Sequence, residues 1–171
     1  MITFKIMVYF DKNLRRTIVS FHVIFSALWT GAALSMIILM FEKNPQNASE
    51  LLAYNRANKL IDDWIIIGSA TGSFLTGLLL SWKTPWGFFK HSWIIVKLVL
   101  MIILIFLGAF CLGTWINESV YLVKEQGQNV YTNKKYMDYQ TLSKFWGSLQ
   151  FSVLIFIYFI SVFKPWKKSK N

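Results

Sequence analysis

Four apolar stretches, each near the roughly 20 residues that a bilayer-crossing helix requires, dominate this chain and leave few folds open to it. A backbone placed in lipid must pair its own amides, so stretches of this kind are helices rather than strands. They run about 17–41, 61–82, 92–116 and 145–163. Of the 171 residues, 55% are hydrophobic, and little sequence remains for a soluble domain. The expectation is one all-α integral membrane domain over residues 1–171, a four-transmembrane-helix up-down bundle whose short connections make consecutive helices antiparallel.

The net charge of +10 matters through its placement. Lys5, Lys12, Arg15, Arg16, Lys83, Lys90, Lys164, Lys167, Lys168 and Lys170 fall on one side, against Asp11 alone. The two opposite loops balance their basic and acidic residues. Basic residues mark the cytoplasmic side, which puts both termini inside. The basic excess is thus a topology signal, with attraction to anionic lipid as a corollary, and not the footprint of a nucleic-acid partner. The first apolar stretch follows Arg15 and Arg16 as a signal peptide would, but it is too long and lacks a small-residue cleavage site, so it reads as a retained helix. Residues such as Phe4, Met7, Val8 and Phe10 suit a segment lying on the membrane surface. Pro85 and Gly87 mark a tight connection between helices 2 and 3. A short helix is expected over 48–59, and 117–144 reads as a polar loop with partial helix.

Ionisable side chains inside such helices are costly, at about 2.5 kcal/mol or more near the bilayer centre, so each needs a reason. His22 and Lys97 each lie five residues into their helix from the cytoplasmic end, hence roughly 7–8 Å deep. Two polar nitrogens at one depth can share a site. Read separately, Lys97 snorkels to the headgroups and His22 bonds a backbone carbonyl or a serine. His91, the other histidine, stands at the cytoplasmic mouth of helix 3. A haem held by two imidazoles needs ligands from two helices, and His22 with His91 is the one pair available. Trp29 is seven residues from His22 and so on the same helix face, mid-membrane, whereas the other tryptophans sit near segment ends as an aromatic belt. A flat cofactor can lie against that face, with Gly31 making room; ordinary bundle packing is the alternative. Thr76, Ser81, Tyr158 and Ser161 are positioned to complete a polar pocket, and the small residues of helix 2, Gly68 and Gly72 among them, allow close helix packing. Asp62 and Asp63 read as helix-opening caps before proton-handling groups. Met36 and Met40 read as core residues before soft copper ligands. Cys111 is the only cysteine and forms no internal disulfide.

The segment FHVIFSALWTGAAL, Phe21 to Leu34, resembles the first helix of CopD-like copper-resistance membrane proteins and of HemJ-type protoporphyrinogen oxidases, with a histidine, a tryptophan seven residues on and a glycine soon after. WIIVKL, Trp93 to Leu98, resembles the oxidases' third helix. The stretch TGLLLSWKTPWGFFKHSWIIVKLVL, Thr76 to Leu100, is similar to an uncharacterised bacterial family described only as predicted integral membrane proteins with a domain of unknown function. The oxidase resemblance implies bound haem b, with His22 and Lys97 as the functional pair. It leads to the expectation of a small redox protein, a haem-dependent oxidoreductase of the bacterial cytoplasmic membrane. His22 would be the metal ligand, Lys97 or His91 the second ligand or a partner for an anionic group, and Arg15 and Arg16 the partners of propionates. Quinone or porphyrin is the expected small partner, and a homodimer or larger membrane complex is compatible with so few helices. The rival expectation is a non-catalytic copper or solute carrier, or a helper subunit.

Overall fold

The computed structural model of the chain describes residues 10–83 and 87–166. The surface segment expected around Phe4, Met7 and Val8, and Pro85 of the tight connection, lie outside the described residues. Every described element is helical, and four continuous helices are long and apolar enough to cross a membrane.

Helix α1 (Lys12–Glu42) starts where the Oδ1 of Asp11 accepts the backbone N–H of Leu14 at 2.6 Å. Such a cap satisfies one of the orphan amides of a first turn. The helix therefore begins five residues before the apolar stretch and carries Arg15 and Arg16 within it. Helix α2 (Ala48–Leu60) follows Pro45 and is capped by Asn47, which accepts from Glu50 N at 2.9 Å. It passes without a break through a π-helical turn (Ile61–Ile66) into α3 (Ile67–Trp82). Asp62 and Asp63 consequently lie mid-helix in the π turn and cap nothing. The third crossing is built alike: α4 (Ser92–Phe106), a π turn (Leu107–Leu112) and α5 (Gly113–Gln126). A 3-10 turn (Gly127–Thr132) leads to α6 (Lys134–Phe163), capped by Asn133. The stretch expected as a polar loop is thus almost wholly helical. Its polarity reflects position outside the lipid, not irregular backbone.

The surplus helix length collects on the face opposite the basic termini. There Leu51 of α2, Leu122 and Val123 of α5, Val130 of the 3-10 turn and Tyr136 of α6 form a small second core, with Leu51, Val130 and Tyr136 at 0% exposure. Within the crossings the apolar residues mostly face outward: only 17–22% of each apolar window is buried. Phe21, Leu75, Ile103 and Phe156 are all more than half exposed. In water such a surface drives aggregation, whereas in lipid it costs nothing.

Helix α1 packs most closely on α3, and α6 packs on both α1 and α4. The spatial order is α3, α1, α6, α4. Helices α3 and α4, consecutive in the chain, barely touch. The small stripe of helix 2 serves α1: a Cβ at Gly72 would meet the Phe25 ring at 2.7 Å. A Cβ at Gly68 or at Gly31 would meet nothing within 4 Å, so neither glycine makes the room expected of it.

Candidate functional site

On α1, His22 faces α3. Its Nδ1 lies 3.0 Å from the backbone carbonyl oxygen of Ser73 and 3.0 Å from Thr76 Oγ1. A carbonyl only accepts, and the Thr76 hydroxyl already donates to Gly72 O at 2.6 Å. Both neighbours therefore need a proton on Nδ1, which leaves the Nε2 lone pair unprotonated. Gly77, one turn beyond Ser73, makes the close approach feasible, since a Cβ there would stand 3.3 Å from His22 Cε1. Ser26 and Ser73 complete the polar patch, their hydroxyl oxygens 2.8 Å apart.

The imidazole borders a cavity of about 310 Å³ in the inner half of the bundle, walled mainly by α3 and α4. Val23, Leu78, Ile94 and Leu98 supply apolar walls, and Ser81, Ser161 and Lys164 line its polar part. A second cavity of about 230 Å³ adjoins it toward α6 and shares His22, Ser73, Lys97, Met101 and Ser161 with the first. Both volumes approach the scale of small-ligand pockets, about 300–1,000 Å³. Lys97 borders both cavities and has no hydrogen bond or ion pair among the described residues. His22 and Lys97, paired by depth in the sequence, thus border the same two cavities. Tyr158 lines the second cavity, its hydroxyl 3.2 Å from Thr30 Oγ1.

Other candidate residues are elsewhere. His91 precedes α4, and its ring stacks on Trp93 with centroids 6.2 Å apart; it borders neither cavity. Arg15 and Arg16 are exposed on the first turn of α1 and also lie outside the cavity walls. Met36 and Met40 are buried with Ile116 in a packing cluster. Among the described residues no three His, Cys, Asp or Glu side chains gather as a metal site.

Trp29 is 2% exposed and packs with Ala70, Met101, Leu104, Leu154 and Ile157. Its indole N–H is buried without a hydrogen-bond partner. An unsatisfied buried donor costs about 1–3 kcal/mol, so the group asks for an explanation. Trp29 also borders a third cavity, of about 320 Å³, in the outer half, with Asp62, Asp63 and Gln150. The tryptophan is thus the partition between an inner and an outer polar cavity.

The chain's counterpart among known proteins fits this picture of a lipid-embedded helical bundle. The family described as "Predicted integral membrane protein (DUF2269)" matches residues 16–165. The chain belongs to this family. No curated protein and no solved structure matches it. The matched region of this DUF2269 protein includes the last three crossings, the first crossing from residue 16 onward, and every residue bordering the three cavities.

The sequence singled out neither Met101 nor Gln150, and showed Lys164 only as a topology charge and not as a cavity residue. Gln150 carried a readable signal as the one side-chain amide in the apolar part of helix 4. Ser73 and Gly77, four residues apart on one helix face, were visible as small residues but not as the seat of His22. That role depends on which helix α3 packs against.

Proposed function

We propose that this DUF2269 protein is a membrane redox protein whose inner-half cavities would hold one haem b, with His22 as a ligand to its iron. The carrying observation is the hydrogen bond from His22 Nδ1–H to Ser73 O, which fixes the tautomer with Nε2 available as a donor atom. Metal-ligating histidines characteristically make this bond to a carbonyl or carboxylate. The donor set and the apolar walls fit the group. Met101, buried and bordering both cavities, offers a soft thioether, and Met/His is a known haem ligation. Lys97 supplies a cation with no acidic partner, suited to an anionic substituent. Lys164 at the wall near the end of α6 takes the place expected of Arg15 and Arg16. When bound, haem supplies one-electron transfer; the chain orients it, keeps bulk water away and balances its charge.

The direct test is the absorption spectrum of the purified protein in mild detergent, oxidised and dithionite-reduced. The expected result is a Soret band that sharpens with α and β bands on reduction, and its loss or displacement in His22→Ala. A protein that stays colourless when haem is supplied during expression refutes the reading. So does a His22→Ala spectrum identical to that of the parent.

A further inference from the structure

The inner cavities are lined by cations and by no anion. Among the described residues neither cavity has an aspartate or glutamate in its wall, while Lys97 borders both. The ion pairs among the described residues, Lys59 with Asp63 and Lys135 with Glu118, are elsewhere. An ionisable side chain within a crossing calls for a partner, and no acidic residue of the chain supplies one here.

The ammonium is nevertheless open to contact. Among the described residues the side-chain atoms that are both sealed in protein and without a hydrogen bond are Trp29 Nε1 and Asn58 Oδ1. Lys97 Nζ has no hydrogen bond and is not one of them, so its free side is space that a ligand can reach. It shares the walls of both cavities with His22 and Ser73, which places it on the bundle side of α4 and not along the lipid. Ser81 of α3 borders the larger cavity as well, and its hydroxyl has no partner among the described residues. By contrast the Ser161 hydroxyl already donates to Ile157 O at 2.7 Å. The open polar groups of the larger cavity besides the imidazole are therefore donors, one of them charged.

We infer that Lys97 is the specificity-determining residue of the inner cavities and that it selects a ligand bearing a free carboxylate over the corresponding ester. A carboxylate accepts from an ammonium in a charge-assisted bond, and its second oxygen is available to a hydroxyl such as that of Ser81. Together the two ions carry no net charge, which suits an apolar cavity where either ion alone does not. The walls formed by Val23, Leu78, Ile94 and Leu98 take the apolar body of such a molecule. Two sources share this chemistry: the propionates of a porphyrin and the head of a free fatty acid. The porphyrin case rests on the haem reading above and adds to it the demand for a free acid; the selection by Lys97 does not depend on iron.

The test is titration calorimetry into the detergent-solubilised full chain with four probes: metal-free protoporphyrin IX, its dimethyl ester, hexadecanoic acid and its methyl ester. The expected result is saturable binding of at least one acid, about tenfold tighter than its ester. Lys97→Met should bring acid and ester to the same affinity, and Lys97→Arg, which keeps the charge, should preserve the preference. The acid that binds saturably names the source. An acid and ester that bind alike to the parent overturn the inference, and that comparison holds whether or not Lys97→Met folds. Absence of saturable binding by either acid overturns it too, as does a preference that survives in Lys97→Met. A haem-bearing protein with a His22-dependent spectrum that takes the dimethyl ester as readily as the acid keeps haem and removes this role of Lys97. A protein that stays colourless with haem but prefers hexadecanoic acid to its ester does the reverse.

Discussion

The imidazole of His22 and the backbone carbonyl of Ser73 are 51 residues apart in sequence and 3.0 Å apart in space. The contact ties the first crossing to the second at the level of the inner cavities. It also decides which ring nitrogen is left for a ligand. Gly77 holds the ring in place by having no side chain.

Gly77 is therefore the position at which to disturb His22 without removing it. A Cβ 3.3 Å from Cε1 displaces the ring by a few tenths of an ångström, and a leucine displaces it altogether. On the proposed haem reading, Gly77→Ala is expected to lower haem retention a few-fold and Gly77→Leu by at least about tenfold, which is about 1.4 kcal/mol of ligand affinity. Haem content per purified protein measures both.

Gly72 and Gly68 make a contrasting pair on α3. A methyl at Gly72 would overlap the Phe25 ring at 2.7 Å, and such overpacking costs about 1–3 kcal/mol. At Gly68 the same methyl meets nothing, and replacing a mid-helix glycine by alanine gains up to about 1 kcal/mol. The thermal midpoint in detergent should fall for Gly72→Ala and hold or rise for Gly68→Ala.

Lys43 lies between the first two crossings, its ammonium bonded to Gln140 and 5.7 Å from the centre of the Tyr136 ring. Burial, and then the nearby Lys144, push its pKa down from 10.5 to about 8. Between those values the unfolded chain keeps a proton that the folded chain has released, so stability rises with pH across the window from about 8 to 10.5 and is flat below it. Melting curves of the parent should show this rise, and Lys43→Met should lose it.

Tyr136 is fully buried in the outer cap, and its hydroxyl is 3.4 Å from Asn55 Nδ2. Truncation to alanine empties the centre of that core at about 3–5 kcal/mol. Limited proteolysis of Tyr136→Ala should cut first in the 127–133 turn, while the crossings stay protected by detergent.

The comparison between sequence and structure divides along physical lines. The crossings were legible because transfer into lipid is a local property, summed residue by residue over about 20 positions. The depth match of His22 and Lys97 was legible for the same reason, since rise per residue converts position directly into height. Helix ends were less so: α1 begins at Lys12 and not near Thr17, because a cap at Asp11 extends the helix beyond the lipid. In the outer loops the short helix over 48–59 was legible, while the helix in 117–144 was underestimated as partial, because residues 117–132 are polar through solvent exposure while still helical. Asp62 and Asp63 were misplaced as caps, since nothing local announces that α2 runs on through a π turn.

By itself, the sequence determined that this chain crosses a membrane four times, and its basic residues place both ends on one side, because hydrophobic transfer and charge placement act on each segment alone. The tertiary structure decided that α3 packs on α1 while α4 packs on α6. That choice seats His22 on Ser73, opens the cavity between α3 and α4, leaves the Trp29 N–H without a partner, and turns Asp62 and Gln150 toward one another's cavity. Side-chain neighbours across helices depend on which faces meet, and in lipid that is set by close packing around small residues such as Gly72 and Gly77, not by the apolarity that all four helices share.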